Sequence, residues 1–140
     1  MTQINAPIDE LNPSGRITGF AYEGRDLKIT DPRTFTTTRR SNAIGQLRAV
    51  VDPNGTDTTS YAYKPFGEIA SLTDTAGNAS TWSYNLRGLL IGTSDPDAGS
   101  WVYESNAFGE QERIRDAKTT APSWTTQFTF DKLSRPLTRA

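Results

Sequence analysis

The sequence has 140 residues, 34% of them apolar and 22% charged, with a net charge of −1; this fits one domain with a thin core and argues against a nucleic-acid partner. It contains neither Cys nor His, which excludes disulfides, thiolate or imidazole catalysis and the usual zinc sites. No apolar run of ~18–20 residues reads as a membrane span, and the opening MTQINAPIDELNPSG lacks the basic and apolar regions of a secretory signal.

Residues 1–15, closing in Asn12-Pro13-Ser14-Gly15, read as a lead-in or a degenerate repeat. The best helical stretch, Ile8 to Leu11, is too short to stand as a helix. From residue 16 to 140 a repeat runs through the chain, about five and a half units with no internal boundary. YAYKPFGEIASLTDTAGN (61–78) aligns with WSYNLRGLLIGTSDPDAG (82–99) at the aromatic pair, the following glycine and a later aspartate. The same frame gives Gly24, Gly45, Gly67, Gly88 and Gly109, at intervals of 21, 22, 21 and 21. Seven residues after each comes an aspartate: Asp31, Asp52, Asp74, Asp95 and Asp116. In the sixth unit, FTFDKLSRPLTRA (128–140), Ser134 takes the glycine place.

Within a unit, Tyr61-Ala62-Tyr63 and Trp82-Ser83-Tyr84 alternate large and small, as a half-buried strand does. The glycine is placed for a tight turn with positive φ. A second short strand follows, with apolar residues two and five places after the glycine, as in Leu47 and Val50 or Ile69 and Leu72. Those offsets have opposite parity, so a bulge is needed to bring both to one face. A wider turn such as Asp52-Pro53-Asn54-Gly55 closes the unit. The fold class is therefore all-β: consecutive antiparallel hairpins of about 21 residues in a curved, open sheet. Residues 117–127 are the one insertion, lengthening the last turn.

Units reading aromatic-x-aromatic-[D/N]-x-x-G-x-[L/I] resemble the YD repeats of the Rhs (rearrangement hot spot) family. WSYNLRGLL (82–90), FTFDKLSRPL (128–137) and YAYKPFGEI (61–69) carry the resemblance, which spans residues 16–140. The Tyr-Asp pair itself is never intact: Tyr63-Lys64, Tyr84-Asn85 and Phe130-Asp131 stand in its place, while Ser41-Asn42 and Ser105-Asn106 lack the aromatic. The resemblance implies a stretch of wall in a β-strip that spirals into a hollow shell, as in Rhs proteins, the related component of Tc toxins, and teneurins. In the bacterial members the shell encloses a C-terminal toxin, so neighbouring repeats or an encapsulated toxin are the implied partners and a secreted or cell-surface system the implied setting. Asp52-Pro53-Asn54-Gly55-Thr56 is similar to the tail of the family's self-cleavage motif but lacks its Leu and upstream Pro, and reads as a turn. The repeat frame places the sixth aspartate one residue past Ala140, so the sequence reads as part of a longer run. Alone, such a strip is expected to self-associate through its open edges.

Other readings compete at individual residues. Asp95-Pro96-Asp97-Ala98-Gly99 has the look of a calcium loop, but no later acidic ligand follows, and no metal or other cofactor is implied. A carboxylate pair for glycoside hydrolysis has no reason to recur at every period, whereas a turn residue does. The expected function is structural and not enzymatic, with a carbohydrate or cell-surface binding module as the alternative. That alternative rests on Trp82, Trp101 and above all Trp124, set in the long turn, as a stacking platform. An immunity or adaptor piece is a third reading. Arg39-Arg40 and Arg113-x-Arg115 read as solvated strand faces.

Overall fold

The computed structural model describes residues 2–5, 17–121 and 123–139, and every regular element among them is a strand. Most of the lead-in, with the Ile8 to Leu11 stretch, lies outside the described residues. Two compact units divide the chain, Met1–Ala62 with Thr73–Gly77, and Tyr63–Leu72 with Asn78–Ala140.

The first unit contains β1 (Thr2–Asn5), β2 (Ile17–Glu23), β3 (Asp26–Thr30), β4 (Thr36–Ser41), β5 (Leu47–Val51) and β6 (Thr58–Tyr63, whose last residue falls in the second unit). Each pairs antiparallel with the next in chain order. The second unit runs through β7 (Ile69–Thr73, whose last residue falls in the first unit), β8 (Ala79–Tyr84), β9 (Leu90–Asp95), β10 (Gly99–Ser105), β11 (Gln111–Arg115), β12 (Thr126–Phe130) and β13 (Pro136–Arg139). From β8 to β13 each strand is again antiparallel to its sequence neighbour. An all-β run of consecutive antiparallel hairpins is thus what the chain forms.

The bulge required by the apolar spacing is present. Leu47 pairs with Ser41 and Ala49 with Arg40, leaving Arg48 as the extra residue. Ile91 in β9, Glu112 in β11 and Leu137 in β13 occupy the same place, three residues after Gly88, Gly109 and Ser134. One expectation fails in detail. Apart from the two-residue turn at 24–25, the turns at one strand end are five residues long, at 42–46, 64–68, 85–89, 106–110 and 131–135, and the other end repeats that loop at 31–35 and 74–78 but has connections of other lengths at 52–57, 96–98 and 116–125. What distinguishes the two ends is the bulge, found after 42–46, 85–89, 106–110 and 131–135, whereas the register from β3 to β4 across loop 31–35 is unbroken.

Packing is thin. Among the described residues the buried apolar side chains are Ala49 and Val51, and no large side chain is fully buried. In the second unit Trp82, Thr93 and Trp101 lie in one cross-strand row, because Trp82 and Trp101 both pair with Thr93. Tyr103, Ile114 and Thr126 make the next such row. The alternate residues Ser83, Glu104 and Gln127 are exposed, so one face is ring-bearing and the other polar. With so little interior, order must come from strand ladders and from the loops that set their register.

Gly99 shows how tightly adjacent loops meet. Its φ is +74°, and a Cβ placed there would collide with the Cβ of Ala117. Gly77 has φ +88° but open space around it. Gly77→Ala is therefore expected to cost about 1 kcal/mol, from backbone strain alone. Gly99→Ala adds overpacking against a side chain that cannot swing away and should cost about 2–4 kcal/mol. Thermal or urea unfolding of the two variants measures the difference.

Candidate functional site

The repeated chemistry of the chain sits in its loops. In each five-residue loop the fourth residue has positive φ: Gly45, Gly67, Gly77, Gly88 and Gly109, with Thr34 (71°) and Ser134 (61°) in the same place. Its N–H donates to the carbonyl of the first loop residue at 2.9–3.1 Å, from Thr34 to Asp31 through to Ser134 to Asp131. The first residue's own N–H reaches the carbonyl of the fifth, as from Asn85 to Leu89 at 2.9 Å.

A side chain completes this ring. Asn85 Oδ1 accepts the N–H of Arg87 at 2.9 Å and of Leu89 at 3.0 Å. Asn42 and Asn106 repeat the pattern on Ile44 and Gln46, and on Phe108 and Glu110. Asp131 does so on Leu133 and Arg135, and Asp31 on Arg33 and Phe35. Such a group caps N–H donors that would otherwise be left to solvent and pins the turn conformation. The sequence analysis places Asn42, Asn85, Asn106 and Asp131 at the Asp position of the YD pair without assigning them a capping role. Their signal is an Asx three residues before the glycine position, the place of the Asp in the YD pair. Lys64 holds that place in loop 64–68 and has no oxygen with which to cap.

The five aspartates of the repeat frame also begin loops, at the opposite strand ends from the Asn loops. Asp31 caps as above, and Asp74 Oδ1 accepts the Ala76 N–H at 2.9 Å. Asp95 Oδ1 takes the N–H groups of Asp97 and Ala98, and Ser80 donates its hydroxyl to Asp95 Oδ2. Asp116 Oδ1 accepts from Lys118 and Thr119. Asp52 differs: its carbonyl accepts the Gly55 N–H, while Asn54 caps Thr56 and Asp57. Gly24 differs too, as the first central residue of a two-residue turn between Glu23 and Asp26, with φ +63°.

With both oxygens of Asp95 engaged inside its own hairpin, the 95–99 loop has the chemistry of a turn rather than of a cation cage. Among the described residues no three Asp or Glu side chains gather as metal ligands. The tryptophans are half-buried. Trp82 and Trp101 belong to the row described above, and Trp101 Nε1 donates to the Ala98 carbonyl at 3.3 Å. Trp124 stacks with arginine: the guanidinium carbons of Arg115 and Arg113 lie 5.1 and 5.9 Å from its ring centroid. Arg113 also bridges Glu104 at 3.0 Å, so this pair does more than line a solvated face. Arg40 likewise meets Asp26 at 3.6 Å. A cleft of about 480 Å³ opens between loops 106–110 and 131–135, lined by Phe108, Phe128, Phe130, Glu110, Glu112 and Asp131 among others. Two of its carboxylates are committed, Glu110 to the Asn106 amide and Asp131 to Arg135.

Residues 42–79 match the RHS Repeat family. Among solved structures it is similar over 98% of its length to a chain in the crystal structure of TcdB2-TccC3-Cdc42, with a TM-score of 0.75 at 15% identity. The likeness covers 8% of that much longer chain. No curated protein matches the sequence. The matched segment 42–79 holds three loops capped by an Asx oxygen, 42–46, 52–57 and 74–78, with loop 64–68 carrying Lys64 at the capping place.

Three of the capping carboxyls are held below the ordinary aspartate range. The Ser80 hydroxyl, then the Ala98 and Asp97 amides, do this for Asp95. For Asp116 the leading cause is the Thr119 hydroxyl, and for Asp131 the Arg135 amide followed by its guanidinium. A folded-state value below the unfolded ~3.9 means the stabilisation is complete above that pH and drains away as pH falls through the folded value. Carboxyl NMR titration should find all three protonating below ~3.9; Asp95→Asn should make unfolding less acid-sensitive.

Proposed function

We propose that this chain is a length of wall in an Rhs-type β-shell and that its work is mechanical: to continue a hydrogen-bonded strip that encloses a polypeptide cargo. The observation that carries this reading is the repetition of the hairpins. Each strand pairs antiparallel with its sequence neighbour within each unit, one five-residue loop design recurs at seven connections, and a strip so built extends by adding units. The likeness to a small part of a much longer chain, named with TccC3, supports the same reading. Delivery of a toxin in competition between bacteria or attack on a host, through a secreted system, is the finer form of the proposal. No catalytic role is assigned: the capping Asx groups are spent on backbone amides.

The carbohydrate-binding reading has less behind it. It needs open ring faces, whereas two guanidiniums already sit against Trp124 and Trp82 and Trp101 are half-buried in a strand row. Self-association through open strand edges remains part of the proposal for the isolated strip.

The coding sequence on either side of these codons tests the shell directly. Hairpin units of about 21 residues should continue in frame, with the capping Asx three residues before each glycine. Flanking frames without such units would overturn the reading, since a strip of this length cannot close.

A further inference from the structure

The cleft between loops 106–110 and 131–135 opens where a strand ladder ends. β11 and β12 pair at Ile114 with Thr126 and at Arg113 with Gln127, and the next residues along, Glu112 and Phe128, already line the cleft. Rings border its space of about 480 Å³: Phe128 and Phe130 are half-buried, and Phe108 is exposed by 87%. A space of that size suits a small ligand or a single side chain. Its charged lining is Glu110, Glu112, Asp131 and Lys132. Asp131 is neutralised by Arg135, whose Nε lies 2.7 Å from Oδ2. Lys132 is exposed and bridges no carboxylate among the described residues. With Arg135 included, three carboxylates stand against two cations, so a net negative charge faces the rings.

Glu112 is the group that its own chain leaves unmatched. It holds the bulge place of β11, where Arg48, Ile91 and Leu137 stand exposed in the other bulged strands, yet it is half-buried. Among the described residues no hydrogen-bond or ion-pair partner meets its carboxylate. Glu110 accepts only the neutral Asn106 amide and so keeps its charge. A partly desolvated carboxylate set among rings is costly until a cation arrives. We propose that the cleft binds the guanidinium group of an arginine, free or carried by a peptide. A guanidinium matches both halves of the lining: its planar faces stack on rings, and its N–H fork meets a carboxylate. An ammonium is more strongly hydrated and gains less against rings. The same unit already sets guanidiniums on a ring, at Trp124 with Arg115 and Arg113. The assignment stands on the cleft alone and holds whether or not the chain walls a container.

Titration of the full chain with an end-capped arginine peptide tests this, read by NMR at the Phe108, Phe128 and Phe130 rings and the Glu112 carboxyl. Those signals should move together and saturate. The matching citrulline peptide, alike in shape but uncharged, should bind about tenfold more weakly, and a lysine peptide should fall between the two. Glu112→Gln should lower the affinity for arginine by about tenfold while leaving the melting temperature near that of the parent chain. Phe128→Leu should weaken arginine binding as well; if that variant does not fold, Phe108→Ser, at the exposed ring, replaces it. Free arginine binding as tightly as the peptide makes the side chain the whole ligand, and tighter peptide binding extends the site to a chain segment; both uphold the proposal. Citrulline or lysine peptides binding as tightly as arginine overturn it. So do an affinity unmoved by Glu112→Gln and ring signals that stay still throughout the titration.

Discussion

The fold depends on a short loop in which one side-chain oxygen does the work that a hydrophobic core does elsewhere. Asn85 accepts two backbone amides, the fourth residue turns left-handed, and the loop's first amide closes onto its fifth carbonyl. Each of these contacts is worth only about 0.5–1.5 kcal/mol. Their number matters because almost nothing else is buried: Ala49 and Val51 are the buried apolar side chains among the described residues. A sheet without a second layer to pack on has weakly specified register unless the turns impose it. Here the five-residue loops do so wherever they join two strands.

That constraint explains what the sequence made legible. The glycine and aspartate frame was visible because only a few residue types tolerate the fourth position or cap the first, so the same letters recur. The bulge was readable from parity, since Leu47 and Val50 could not otherwise share a face. Less visible was that loops 31–35 and 74–78 share the backbone of the Asn loops. One end is written with Asp and Pro, as in Asp31-Pro32, and the other with Asn and a large apolar residue, as in Asn106-Ala107-Phe108, which disguises a common backbone. Thr34 and Ser134 disguise it further, holding positive φ where glycine is the easy choice. The tryptophans were the hardest to place. Whether a ring is stacked by arginine depends on strand register, and Arg113 and Arg115 are about ten residues away from Trp124 in the chain.

From the loops the functional account follows. Repeated hairpins make a strip that can be lengthened by adding units, and its ring-bearing and polar faces give it two sides of different chemistry. A wall element needs these properties more than it needs a reactive centre.

Amide hydrogen exchange tests the central claim that capped loops, rather than buried side chains, hold the sheet in register. The amides of Arg87, Leu89, Phe108 and Glu110, which donate to Asn85 and Asn106, should be protected as strongly as those of the adjoining strands, and their protection should be lost together with that of β8–β11 on unfolding. Free exchange at these four amides, with the strands still protected, would show the loops to be passive connectors and contradict the account.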